Sequence, residues 1–89
     1  MVKPQKLIAK LERVLADAFP GAEVRLERTK PSQKVDGFLI WKGFLGREQI
    51  KRQERMWRVL QRQLSQEEQL QITVILTATP EEMTVVTGN

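Results

Sequence analysis

Eighty-nine residues, 40% of them hydrophobic and 29% charged, suffice for one small domain and leave no length for a second. The chain has no cysteine and no histidine, which excludes disulfides, thiolate metal sites, cysteine nucleophiles, histidine ligands and a Ser-His-Asp arrangement. Its net charge of +4 permits an acidic partner without requiring one.

The longest apolar run, Phe38 to Trp41, is four residues, far too short to span a bilayer. Met1-Val2-Lys3-Pro4 opens no apolar stretch of the kind a secretory signal needs. The expectation is a cytoplasmic protein with no membrane partner.

From Gln5 to Ala18 the apolar residues Leu7, Ile8, Leu11, Val14, Leu15 and Ala18 recur at the spacing of an amphipathic helix. Lys6, Lys10, Arg13 and Asp17 fall on its wet side, and Pro20-Gly21 ends it. Ala22 to Arg28 alternates, with Val24 and Leu26 on one face and Glu23, Arg25 and Glu27 on the other, as a half-buried strand does. Thr29 to Lys34 is a loop, and Val35 to Lys42, apolar on both faces, is a central strand hairpinned to the first.

Gly43 and Gly46 bracket a turn, and Arg47 to Leu64 is a second long helix. Glu67 and Glu68 extend into a further helical turn. Leu70 to Thr79 is a third strand, with Ile72, Val74, Leu76 and Ala78 on one face and Ile75 on the other. Thr79-Pro80-Glu81-Glu82 places a cap, a first-turn proline and acids in the order that starts a short closing helix, with residues 84–89 expected as a frayed tail. The fold class is α+β in the order α-β-β-α-β. The expectation is a three-stranded mixed sheet, strands two and three parallel, with the long helices packed on one face.

At about 100° per residue, Ile50, Trp57, Leu60 and Leu64 share one side of the second helix, while Arg47, Lys51, Arg55, Arg58 and Arg62 share the other. Between Lys42 and Arg62 seven bases, Arg52 among them, face only Glu48 and Glu54. Residues 63–89 hold four acids and no base. This polarity makes Lys42, Arg47, Lys51, Arg52, Arg55, Arg58 and Arg62 candidate contacts to the phosphate backbone of DNA or RNA; a solvated helix face opposite acids elsewhere would read the same.

Gly43-Phe44-Leu45-Gly46 has the G-x-x-G form that clamps nucleic-acid backbone in KH domains. Gly43 and Gly46 are therefore carried as candidate close-approach positions, although two turn glycines around a buried Phe44 are the plainer reading. Trp41 and Trp57 lie on core-facing positions, so packing accounts for both. Ser32, Ser65 and the threonines near the third strand have no base to activate them. No catalytic residue, metal or cofactor is expected.

Taken in order, these segments resemble the BolA-like family. Phe44-Leu45-Gly46-Arg47, followed by Ile50, Arg52, Val59 and Leu60, is similar to the F-x-G-K signature and the R-H-R helix after it. Thr77-Ala78-Thr79-Pro80-Glu81-Glu82 resembles the closing T-x-TP-x-E, and LADAFPGAEVRL (Leu15 to Leu26) the first helix, turn and strand. The resemblance spans about residues 7–83 and implies a class II KH-like fold over a single domain, 1–89. It further implies DNA-binding regulation, or partnership with a monothiol glutaredoxin-like protein around an iron–sulfur cluster. In that second role the family's helix histidine ligates the cluster. Gln53 occupies the matching position here, followed by Glu54 where the family carries a base. An amide is a poor cluster ligand, so the resemblance implies a protein contact without a shared cluster.

Overall fold

The computed structural model describes residues 4–30 and 32–86; Met1 to Lys3, Pro31 and Thr87 to Asn89 lie outside it. The first helix, α1, runs Pro4–Ala18. It buries Leu7, Leu11, Val14 and Leu15 and half-buries Ile8 and Ala18, the stripe read from the sequence. Phe19, immediately beyond it, is fully buried. The chain then reverses through Gly21, whose φ of +84° suits glycine.

Three strands follow: β1 (Glu23–Thr29), β2 (Lys34–Ile40) and, later, β3 (Ile72–Ala78), in the sheet order β1-β2-β3. β1 and β2 are antiparallel, β2 and β3 parallel. The fold is thus the expected α+β arrangement with a three-stranded mixed sheet, and β2 is central. β2 ends at Ile40 rather than Lys42, because Lys42–Phe44 winds into a 3₁₀ turn that drops Phe44 into the core.

The second long helix, α2, spans Gln49–Gln63, starting two residues later than expected. A separate short helix, α3 (Gln66–Gln69), is started by a capping box in which Ser65 and Glu68 each satisfy the other's backbone N–H. Glu68 also reaches Lys10 of α1 at 2.9 Å. Lys10 is therefore tied to α3 and not simply wet.

α1 and α2 share one face of the sheet. There Leu11, Leu15, Met56 and Leu60 pack on Val35, Leu39, Ile72 and Ile75, and each fully buried side chain of this size contributes about 1.5–3 kcal/mol. Ile72 was expected on the face of Val74. The ladder instead slips between Val35 and Asp36, Val35 pairing with Ile72 and Asp36 with Val74. Thr73 is left over as a bulge, and Ile72 turns to the helix side beside Ile75.

The closing helix, α4, spans Pro80–Val86. Thr79 Oγ1 accepts from the Glu82 N–H, and Glu82 Oε1 accepts from the Thr79 N–H, a second capping box. The expected fray at 84–89 does not begin at Thr84, since the helix continues through Val86; residues 87–89 lie outside the described chain. The long helices α1 and α2 keep to one face as expected, and only the short α4 takes the other. Its Met83 packs on Ile40, Ala78 and Phe38 on the opposite side of the sheet. Beyond Met83 that face remains a groove of about 490 Å³ lined by Phe38, Val74 and Leu76.

Candidate functional site

The chemistry-bearing residues converge where β2 hands over to α2. Trp41 leaves the sheet and donates its indole N–H to the Pro20 carbonyl at 2.9 Å. Its ring meets Phe19 and Phe44 edge-on, with centroids 5.2 Å apart in both pairs. Edge-on contact sets the positive rim of one ring against the negative face of the next. Arg55 of α2 lies over this cluster, its guanidinium carbon 5.0 Å from the Trp41 centroid and 5.4 Å from that of Phe19. Trp41 is thus half-buried under a cation rather than sealed in the core.

Gly43 and Gly46 have different reasons to be glycine. A Cβ on Gly43 would fall 2.5 Å from the Trp41 ring, so its bareness seats an indole and leaves no room there for a ligand. Gly46 adopts φ +77° with nothing near its missing side chain, which makes it the turn residue and the glycine of the pair that faces open space.

Lys42, Arg47, Lys51, Arg55, Arg58 and Arg62 are all exposed. Among the described residues, none of the six forms an ion pair. Arg52 departs from the expected set. It is only 6% exposed, and it holds Glu82 of α4 through two hydrogen bonds, 2.7 and 3.2 Å, while its Nε donates to the Arg47 carbonyl. The guanidinium, with the Thr79 N–H, keeps the Glu82 carboxyl below the ordinary glutamate range. Arg52 is thereby committed to joining α2 to α4 and is not part of the exposed row.

The buried side of α2 is accordingly rotated from the one expected. Met56 and Leu60 are fully buried and Arg52 nearly so, while Ile50, placed on the core stripe, is 63% exposed. An apolar count misses this face because two of its members are Arg52 and Gln53.

Gln53 donates its amide to the Ile75 carbonyl at 3.0 Å and accepts from the Thr77 N–H at 2.9 Å. This is the pattern a parallel neighbouring strand would make, since one peptide-like group bonds the C=O of one residue and the N–H two further on. Gln49, one turn earlier, donates to the Thr77 carbonyl at 3.0 Å. The two amides cover the outer edge of β3 at Ile75 and Thr77. Sequence reasoning passed over both roles; the available signal was a pair of glutamines at i, i+4 on the side of α2 away from the bases.

Among the described residues, no cluster of three or more carboxylates is arranged to hold a metal, and no helix is long and apolar enough to cross a membrane. No protein-family model matches the chain, and no curated protein is significantly similar to it.

Proposed function

We propose that this protein is a non-enzymatic binding module that grips nucleic-acid backbone along the exposed face of α2. The observation that carries the reading is the row itself: Lys42, Arg47, Lys51, Arg55, Arg58 and Arg62, exposed in succession and, among the described residues, without a carboxylate partner of their own. Cations not neutralised within the fold are free to displace counterions from phosphates, which is the source of sequence-independent affinity. Arg55 adds a preorganised element, since the rings beneath it limit its freedom before any ligand arrives. Of the two glycines, Gly46 allows backbone approach in this reading, and Gly43 acts through Trp41.

The test is a titration with fluorescent single- and double-stranded oligonucleotides over a range of salt. Lys51, Arg55, Arg58 and Arg62, all changed to Gln, form the companion variant. Saturable binding is expected at near-physiological salt. Its log–log salt slope should become shallower by roughly 0.7–0.9 for each phosphate contact removed. A slope identical in both proteins would overturn the reading.

A second reading, a protein–protein adaptor of the kind the BolA-like resemblance implies, draws on a different observation. Leu45 and Ile50 are 73% and 63% exposed beside Arg47 and Lys51, a mixed apolar and basic shoulder suited to a protein surface. In that case an iron-free complex with a glutaredoxin-like protein survives moderate salt and is lost in Leu45→Glu.

A further inference from the structure

The two edges of the sheet are treated differently. The outer edge of β3 is bonded at Ile75 and Thr77 by the side chains of Gln49 and Gln53. Among the described residues, no hydrogen bond reaches the backbone of residues 23–28 from outside the β1–β2 ladder. β1 therefore presents an open row of N–H and C=O groups, which natural sheets normally cover, shorten or charge. β1 is charged, with Glu23, Arg25, Glu27 and Arg28, yet these sum to zero and do not repel another strand of the same kind.

Glu27 identifies the occupant. Across the ladder it faces Asp36, a like charge directly opposite, and such pairs are destabilising. Asp36 has its own donor, the Thr29 hydroxyl at 2.7 Å. Arg25, two residues along the same face, engages Glu23 through Nε alone, leaving its terminal nitrogens available. Among the described residues Glu27 has no cation, and a cation arriving from beyond the edge would offset the like charge of Asp36.

We infer that the β1 edge binds the β1 edge of a second copy of this chain, antiparallel about Leu26, giving a continuous six-stranded sheet. In that register Arg25 lies opposite the second copy's Glu27 and Glu27 opposite its Arg25. Leu26 meets Leu26 on the helix side, where it is already half-buried. Other alignments are worse. Centring on Arg25 or on Glu27 puts identical charges on the axis and, in the first case, sets Glu23 against Glu27. Centring on Val24 leaves only Glu23 to Arg25 overlapped. Registers offset by one residue throw the helix layers to opposite faces and set Leu26 against a charge. The charge order of the strand, E-V-R-L-E-R-T, is thus self-complementary in one full-length alignment.

The experiment is sedimentation equilibrium of the full chain from micromolar to near-millimolar concentration, with Arg25→Glu and Glu27→Arg variants measured alone and mixed. The natural chain is expected to form a dimer. Each variant alone inverts both symmetric pairs at once and should weaken the dimer about tenfold or more. An equimolar mixture of the two variants restores opposite charges at both pairs, so a heterodimer of natural affinity is expected. That recovery also demands that both variants are folded. A natural chain that stays monomeric throughout, single variants that dimerise undiminished, or a mixture no tighter than its components would each overturn the proposal.

Discussion

Arg52 and Glu82 join the second helix to the closing helix through two hydrogen bonds, with the guanidinium buried and the carboxylate at the surface. The pair is asymmetric. Removing Glu82 strands a buried cation, whereas removing Arg52 leaves a carboxylate that water can reach. Arg52 also donates to the Arg47 carbonyl and lies 5.8 Å from the Phe44 ring centroid, so its loss also unpacks the turn before α2.

Acid should therefore loosen this fold through two identified carboxyls. Arg52 and the Thr79 N–H hold Glu82 below the ordinary value of 4.5. The Ser65 N–H and Lys10 do the same for Glu68. A carboxyl with a depressed folded pKa contributes stability that is present above its unfolded value and disappears as pH falls through the folded one. Urea midpoints should accordingly hold steady above about pH 5 and decline below 4.5. In Glu82→Gln and Glu68→Gln double variants the decline should be shallower; the same decline as in the natural chain would show that other groups govern it.

Gln53 supplies a test of its strand-like role. Gln53→Ala removes two hydrogen bonds at a half-buried edge and should cost about 1–3 kcal/mol by denaturant unfolding. Gln53→Glu keeps the shape and the acceptor for Thr77 but turns an oxygen toward the Ile75 carbonyl. Its cost at neutral pH should equal or exceed that of alanine and shrink on mild acidification, when the carboxyl regains a donor. Equal stability of Gln53→Glu and the natural chain at neutral pH would refute the arrangement.

The two turn glycines should fail for different reasons. Gly43→Ala forces a methyl into the Trp41 ring and should cost about 1–3 kcal/mol through overpacking, with a shift in tryptophan emission. Gly46→Ala meets no atom but strains a left-handed backbone, at about 1–2 kcal/mol, and should leave the emission unchanged. A spectral change in the second variant and none in the first would reverse these assignments.

On α2, Met56→Ala should cost about 2–5 kcal/mol and Ile50→Ala less than about 0.5 kcal/mol. The comparison of their unfolding midpoints decides which face of the helix is the core.

These last residues mark where the sequence was legible. The α1 stripe could be read because each of its inward positions is apolar, and β2 because its C-terminal half is apolar on both faces. The capping residue Thr79 sits at the helix start its chemistry favours, and the parallel pairing of β2 with β3 follows from the helix between them. On α2 the same periodicity pointed about a fifth of a turn off, since Arg52 and Gln53 face inward with their polar ends satisfied by Glu82 and the β3 backbone. No single-residue hydropathy value carries that information. Ile72 changed faces through a bulge, a property of the ladder and not of the strand's own alternation. Of the candidate site, the exposed cations were readable from spacing alone; the removal of Arg52 from that row required knowing where Glu82 would be.

The stacking of Arg55 on Trp41 has an optical consequence. An indole beneath a guanidinium reports on the cation's position through its emission. A ligand that draws Arg55 away from the rings therefore changes the protein's fluorescence at the moment of contact. With Trp57→Phe as background, leaving Trp41 as the sole emitter, the molecule becomes its own dye, and occupancy of the α2 face can be followed in an unlabelled chain.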